Sequence, residues 1–238
     1  MLEWVTRPTL AELTEEFCRR LDQIAGLLGA ECPVALTGGE SAAVFYDAWA
    51  THGVRENLEF YWSDERMVLP ADSDSNFKLA QDRLLSRCQV AESRIHPVPT
   101  DRPLAECAAD YASAIRRGVR EGPSGTPQFP LVLLGLGADG HTASLLPGRN
   151  PYLDEEMLVR AVEGTAMHPH GRITFTPLLI NTAAHVWFIV TGAKKAWAVE
   201  QLAGRTAPLT RVPALAVDPK RTRITIFADQ SSTGGRKY

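Results

Sequence analysis

Residues Pro130 to Gly148 read PLVLLGLGADGHTASLLPG, and they constrain this chain more than any other segment. Leu131 to Leu134 is an apolar run of a length that suits a buried strand. Gly135, Gly137 and Gly140 follow, with Asp139, His141, Thr142 and Ser144 among or just after them. A strand running into a glycine-rich turn is how α/β proteins bring backbone close to a ligand. A histidine at the tip of such a turn is a proton carrier near neutral pH. The segment therefore predicts an α/β fold with an anion cradle and an acid–base group on one loop.

The bulk numbers narrow the partners. The chain has 238 residues, 45% hydrophobic and 22% charged, enough for a substantial core, and a single α/β domain over residues 1–238 is expected. A net charge of −3 argues against the broad basic face of a nucleic-acid binder, while a small anion needs only local positive charge. Cys18, Cys32, Cys88 and Cys107 form no C-x-x-C pair and no zinc-type cluster, so they read as reduced thiols of a cytoplasmic protein. The opening MLEWVTRPTLAELTEEF has neither a basic n-region nor an apolar h-region. No apolar run is long enough to span a bilayer, so no membrane partner is expected.

Periodicity sets out the elements. Leu10, Leu13, Phe17, Leu21, Ile24 and Leu28 recur every three or four residues, which predicts a helix over Thr9 to Leu28. Thr9 and Glu12 have the spacing of a capping box at its start. Strands are expected at Pro33–Thr37, Leu58–Trp62, Arg94–Val98, Leu131–Leu134, Arg172–Phe175, His185–Val190 and Arg223–Phe227. Helices are expected at Ser41–Thr51, Asn76–Ser86, Leu104–Arg120 and Ala193–Ala203, with one or two turns over Pro177–Asn181. Pro147 to His170 reads as irregular, and Asp229 to Tyr238 as a frayed tail. The alternation predicts a Rossmann-like α/β fold, a mostly parallel sheet with helices on both faces.

Ligands bind open parallel sheets at the carboxyl ends of the strands. Four such ends are polar or glycine-rich and should converge: Thr37-Gly38-Gly39, Ser63 to Arg66, Gly135 to Ser144, and Thr191-Gly192 with Lys194-Lys195. Gly38-Gly39 before a helix suits a phosphate or is an ordinary tight turn. Arg66 holds a phosphate bidentately or belongs to a solvated charge cluster. Lys194 and Lys195 are about 100° apart on a helix, so one of them is expected to face inward. Arg172, Thr174 and Thr176 share one face of an extended segment, read as the polar outer face of a half-exposed strand. His52, His96, His168, His170 and His185 lie in loops or at element edges and read as structural. His141 differs, because Asp139 stands two residues away and can orient its ring.

Taken in order, these blocks resemble the 6-phosphogluconolactonases of the wider sugar-phosphate isomerase and deaminase group. The resemblance rests on LGLGADGHTASLLPG (134–148), WSDERMV (62–68), DSDSNF (72–77), RITFT (172–176) and VTGAKKAW (190–197), and spans nearly the whole chain. It implies a Rossmann-like fold and hydrolysis of 6-phospho-D-glucono-1,5-lactone, without metal or organic cofactor, by a monomer or small homo-oligomer. It implies His141 and Asp139 as the catalytic pair. It places Gly38, Gly39, Asp64, Arg66, Asn76, Gly137, Gly140, Thr142, Arg172 and Lys195 around the sugar-phosphate lactone. Backbone N–H groups of the glycine-rich loop would then face the oxyanion.

One block departs from the family pattern. Its first loop usually reads Ser-Gly-Gly-Ser-Thr-Pro, whereas here Thr37-Gly38-Gly39 is followed by Glu40-Ser41-Ala42, which puts a carboxylate beside the expected phosphate cradle. A non-catalytic sugar-phosphate sensor is the reading Glu40 favours, and a retained His141 opposes it. The glucosamine-6-phosphate deaminases carry D-G-H-I-A-F-N-E-P where this chain has Asp139 to Pro147, DGHTASLLP, and the missing Asn-Glu pair favours the lactonase.

Overall fold

The computed structural model describes residues 1–28, 31–149 and 156–238. Its central sheet is built from β1 (Leu2–Thr6), β2 (Cys32–Leu36), β3 (Leu58–Trp62), β5 (Leu131–Gly135), β8 (His185–Val190) and β9 (Arg223–Ala228). They lie in the order β1-β9-β8-β5-β2-β3, and every pairing is parallel. Near-continuous apolar sequence in β2, β5 and β8 follows from burial on both faces. The chain leaves β2 toward β3 on one side and returns to β5 on the other. The strand order therefore reverses between β2 and β5, which is where an open α/β sheet leaves a crevice.

Helices α1 (Leu10–Leu28) and α2 (Glu40–His52) pack together over one face. Phe17 and Phe45 meet each other and Phe227 there, and Phe17 meets Trp187, in edge-on contacts with centroids 5.0–6.3 Å apart. Thr9 and Glu12 close the expected capping box, each backbone N–H donating to the other's side chain. The opposite face differs from a simple helical layer. Strands β4 (Asp64–Arg66), β6 (Val159–Val162) and β7 (Arg172–Phe175) form a second, antiparallel sheet in the order β4-β7-β6, with α4 (Leu104–Gly118) against β6 and β7.

Several expectations are corrected. Arg94 to Val98 is no strand: Glu92–Arg94 is a 3₁₀ turn, and Ile95 makes a lone bridge to Phe60. Helix α3 (Asn76–Ala80) starts at Asn76 as expected, capped by the Ser75 side chain, but Gln81–Leu85 widens into a π-helix. The stretch Pro147 to His170, read as irregular, contains β6, and its residues 150–155 lie outside the described residues. The helix expected from Ala193 begins later: Ala193–Lys195 is a 3₁₀ turn, and Lys195 ends it just before α6 (Ala196–Gly204).

The chain ends also correct the sequence reading. β1, absent from the predicted strands, pairs along β9, and α5 (Pro177–Thr182) precedes β8 as expected. The C-terminal segment is not frayed. Ser232 and Thr233 are buried, the Ser232 hydroxyl donates to Val190 O at 3.3 Å, and Tyr238 stacks on Trp4. Among the described residues no helix is long and apolar enough to cross a membrane.

Candidate functional site

The strand ends at the crevice leave the ladder with backbone groups to satisfy, and two buried tyrosines do so. Tyr46 Oη accepts from Thr37 N at 3.0 Å and donates to Thr37 O at 2.7 Å, where β2 ends. Tyr111 Oη does the same for Trp62 at the end of β3, at 2.6 and 3.1 Å. Burial pushes both phenols well up, so they remain neutral donors. At the end of β5, Gly135 N donates to Thr37 Oγ1 and Gly135 O accepts from Thr142 Oγ1. At the end of β8, Ser41 Oγ accepts from Thr191 N and both Asp229 carboxylate oxygens take Gly192 N–H. The four strand ends thus converge as expected, locked by short polar side chains.

Between them lies a cavity of about 250 Å³. Gly38, Gly39, Glu40, Asp64, Arg66 and Asn76 line one part of it; Gly137, His141, Ala143, Arg172, Lys194 and Lys195 line the rest. Asp139, Gly140 and Thr142 are outside that lining. Asp139 stands behind His141, Gly140 packs on Val212, and the Thr142 hydroxyl is spent on Gly135. A more apolar cavity of about 300 Å³, lined by Pro33, Pro130, Ala184 and His185, sits at the amino ends of the strands, away from these loops.

His141 Nδ1 is 2.5 Å from Asp139 Oδ1, and the same oxygen accepts His141 N–H at 3.1 Å. Burial works to raise the Asp139 carboxyl, but the hydrogen bonds and charge of His141, with His168, outweigh it and hold Asp139 well below the usual carboxylate range. The pair needs a glycine beside it. A Cβ on Gly137 would fall 2.1 Å from His141 Nδ1 and 2.4 Å from Asp139 Oδ1. Gly38 makes room in the same way, since a Cβ there would lie 1.7 Å from Asn76 Oδ1. Ala143, with φ +46°, holds a left-handed backbone on the cavity wall, a conformation that costs a side-chain-bearing residue roughly 1–2 kcal/mol.

The two arginines come from the small sheet. Register sets Arg66 directly opposite Arg172, and Asp64 opposite Thr174. Arg172 is 7% exposed and faces the cavity, which corrects its reading as part of a polar outer face. Its face is covered by the loop after β5: Arg172 Nη1 donates to Ser144 Oγ at 3.3 Å, Ser144 Oγ donates to Asp64 Oδ2 at 2.7 Å, and Ser144 N donates to Thr174 Oγ1. Burial, and then the like charge of Arg66, push the Arg172 guanidinium down, with Asp64 opposing. Glu65 points the other way and accepts the N–H groups of Arg66, Asn76 and Phe77, fastening α3 to β4. Arg66 Nη1 donates to Asp74 O, in the turn before α3. Burial raises the Glu65 carboxyl despite those bonds.

The two lysines divide. Lys194 Nζ pairs with Glu40 Oε2 on the rim, and that cation draws the Glu40 carboxyl down. Lys195 is half-buried in the cavity, where burial first and Lys194 second push its ammonium down. Asn76 Oδ1 and the Nε atoms of Arg66 and Arg172 are buried without a protein partner. Of the loop's backbone N–H groups, expected to face an oxyanion, those of its three glycines are committed elsewhere: Gly135 to Thr37, Gly137 to His141 O, and Gly140 to Gly137 O.

Sequence reasoning missed Ser144 as the bridge between Asp64 and Arg172. It also set His168 aside, although His168 Nε2 is 3.4 Å from Asp139 Oδ2. No local motif marks His168, because the contact is made through space. Asp139, His141 and His168 place potential metal-ligating atoms within 4.8 Å of one another. The 2.5 Å His141–Asp139 separation, however, is a hydrogen bond, and two ligands of one tetrahedral zinc stand roughly 3.3 Å apart. As arranged, the three are bonded to each other rather than spread to receive an ion.

The family model for glucosamine-6-phosphate isomerases/6-phosphogluconolactonase matches residues 8–226. The probable 6-phosphogluconolactonase 3, chloroplastic, of Oryza sativa subsp. indica is 34% identical over 240 residues, covering 93% of this chain and 71% of its own length. The 6-phosphogluconolactonase of Nostoc sp. is 34% identical over 189 residues, covering 79% of this chain and 78% of its own. Among solved structures, 6-phosphogluconolactonase from Trypanosoma brucei superposes with TM-score 0.82 at 24% identity over 100% of this chain and 99% of that one. A monomeric glucosamine-6-phosphate deaminase reaches the same TM-score at 17% identity, over 98% of this chain and 100% of that one, so the fold is common to both activities. By the extent of the family match and of its relatives' identity, the chain belongs to the glucosamine-6-phosphate isomerase/6-phosphogluconolactonase family.

Proposed function

We propose that this chain hydrolyses 6-phospho-D-glucono-1,5-lactone to 6-phospho-D-gluconate, the second step of the oxidative pentose phosphate pathway, as a cytoplasmic monomer or small homo-oligomer. The observation that carries this reading is the Asp139-held ring of His141 in a cavity that also presents Arg66, Arg172 and Lys195. With Nδ1–H donated to Asp139, Nε2 keeps its lone pair for a water.

In this mechanism His141 Nε2 takes a proton from water as the oxygen attacks the lactone carbonyl. The tetrahedral intermediate collapses with cleavage of the ring C–O bond, and the imidazolium returns the proton to the departing ring oxygen. Asp139 stabilises the imidazolium between these steps. Because the loop glycines' N–H groups are already bonded, the cavity's cations are assigned the developing oxyanion as well as the 6-phosphate. The orphaned Nε atoms of Arg66 and Arg172, and Asn76 Oδ1, are polar groups that a phosphorylated, hydroxylated substrate satisfies.

The test follows decay of freshly made lactone with wild type, His141→Ala and a no-enzyme control, with glucosamine 6-phosphate run in parallel. Acceleration of lactone decay that disappears in His141→Ala is expected. Ammonia release from glucosamine 6-phosphate, with no lactone acceleration, would overturn the proposal.

A further inference from the structure

Asp139 carries a second imidazole. His141 approaches Oδ1, and His168 Nε2 approaches Oδ2 at 3.4 Å. The two rings stand edge to face, with centroids 5.2 Å apart and planes at 78°. One carboxylate thus serves two imidazoles through different oxygens.

His168 is firmly held where it makes this contact. It lies in the loop from β6 to β7, and that loop closes on itself. Thr165 N donates to His168 O at 2.7 Å, while His168 N donates to Thr165 O at 3.2 Å and to Thr165 Oγ1 at 3.0 Å. A Cβ on Gly164 would fall 2.2 Å from Pro169 O, so the loop is drawn tight around it. The His168 side chain is 19% exposed. The loop belongs to the small antiparallel sheet, whereas Asp139 and His141 belong to the parallel one.

We propose, resting on the lactonase reading, that His168 is a positioning residue: its Nε2–H donates to Asp139 Oδ2, fixes the carboxylate with Oδ1 toward His141, and moderates how strongly Asp139 holds a proton on that ring. The terminal torsion of an aspartate is broad and roughly two-fold, so a carboxylate bound at one oxygen can swing. A donor on each oxygen stops the swing. The neutral form of His168 suits this role, and burial, then the charges of His141 and Arg172, favour it. A neutral donor shares the carboxylate without cancelling its charge, and it does not compete for the proton that His141 carries during turnover.

Charged groups on every side of the cluster act on the same balance. Arg172 reaches it from β7 and Lys195 from the turn after β8. Arg66, Asp64 and Glu65 on β4 act at one remove, through Arg172. Loss of His168 leaves these groups in place, so its effect is separable from theirs.

The test compares His168→Ala with His168→Gln, whose amide can donate from near the position of Nε2. In His168→Ala, kcat should fall about tenfold with KM within about twofold, the size expected for losing one hydrogen bond to a charged group. The acid limb of the kcat/KM profile should move up by about 0.5 pH unit, because Asp139 then spends all its charge on His141. His168→Gln should recover both. An unmoved acid limb in His168→Ala, or equal losses in both variants with a lowered Tm, would overturn the proposal in favour of a purely structural loop contact. Imidazole nitrogen NMR titration of the same proteins separates this from the functional reading. A wild type without lactonase activity, but with a His141 midpoint that rises in His168→Ala and returns in His168→Gln, removes the lactonase assignment and keeps the His168–Asp139 link. An active wild type with no such shift does the reverse.

Discussion

The parallel sheet delivers backbone, the proton carrier and Lys195 to the cavity, while the antiparallel sheet delivers the two arginines. From the first come Gly38, Gly39, Gly137 and the Asp139–His141 pair, all on loops leaving strand ends beside the β2/β5 crevice. From the second come Asp64, Arg66 and Arg172, fixed by strand register, and His168 on the connecting loop. The difference follows from geometry. A parallel strand buried on both faces can offer a ligand only its end, so its contribution is made through turns. An antiparallel strand with one face on the core and the other toward the cavity offers alternate side chains along its length. Arg172 reaches the cavity and Thr174, on the same face, takes the N–H of Ser144 from the covering loop, while Ile173 and Phe175 join the core. Backbone economy and arginine placement are thus handled by separate sheets that meet at Ser144.

This division makes distinct kinetic demands. Damage on the parallel side should show in kcat. His141→Ala removes the base and should lower kcat by about 10²–10⁴-fold, with KM close to wild type, in the fresh-lactone assay. Gly137→Ala should come near the same loss although it removes no functional atom, because its Cβ would occupy the space of the His141 and Asp139 contact atoms. A Gly137→Ala protein with wild-type kcat would break the claim that this glycine exists to seat the pair.

Loss of the antiparallel sheet's arginines, unlike loss of His168, should show first in KM. Arg66→Ala removes a cation with a buried, unpartnered Nε, and KM should rise about tenfold to a hundredfold, the range for a hydrogen bond to a charged group. Arg172→Ala should raise KM similarly and also destabilise the fold by about 1–3 kcal/mol, since Asp64 and Ser144 would lose their cationic neighbour in the interior. Chemical denaturation alongside kinetics separates the two effects. A fall in kcat alone for both variants would move the cations from substrate holding to transition-state stabilisation and blur the contrast between sheets.

Glu65 tests whether the small sheet is held independently of the ligand. It accepts three backbone N–H groups, so Glu65→Gln should cost about 1–3 kcal/mol while leaving the catalytic pair in place. Its folded-state carboxyl is raised, with burial as the leading cause. The folded protein therefore binds this proton more tightly than the unfolded chain. The associated stabilisation is fully present below the unfolded value of about 4.3 and fades as pH climbs through the raised one. The penalty of Glu65→Gln should accordingly be larger near pH 4 than at pH 7, read as Tm or denaturation midpoint.

The parallel half was open to sequence reading for physical reasons, and the antiparallel half was not. β2, β3, β5 and β8 are doubly buried, so their apolar runs announce them, and the glycines after β5 mark a turn with little ambiguity. Arg172 shows the limit of periodicity. Alternation states which residues share a face, but a polar face covered by another loop has the same pattern as one open to water. β6 is four residues long, and its register to β7 is a long-range fact. His168 reaches Asp139 only because that hairpin folds over the crevice. The terminal residues from Asp229 on looked like a tail because they are polar, yet Asp229 and Ser232 use that polarity to bond Gly192 N and Val190 O.

Glu40 is where the two contributions oppose each other, and it should give the smallest effect. It occupies the first turn of α2, where the helix dipole favours a carboxylate and equally favours a substrate anion. It points outward, 78% exposed, and pairs with Lys194 rather than turning into the cradle. Its charge is thus mostly cancelled on the rim, and the conflict anticipated from the sequence is displaced onto Lys194, which is no longer free for the ligand. Glu40→Ser releases that lysine and removes a negative charge from the mouth of the cavity. KM should fall, by no more than about fivefold at low ionic strength, and the gain should shrink as salt is raised, since exposed pairs are screened. Lys194→Ala in the Glu40→Ser background should abolish the gain if the freed ammonium is its source. A gain that persists there would instead assign the effect to the helix terminus itself, and the parallel sheet would then attract the anion through backbone as well as through Lys195.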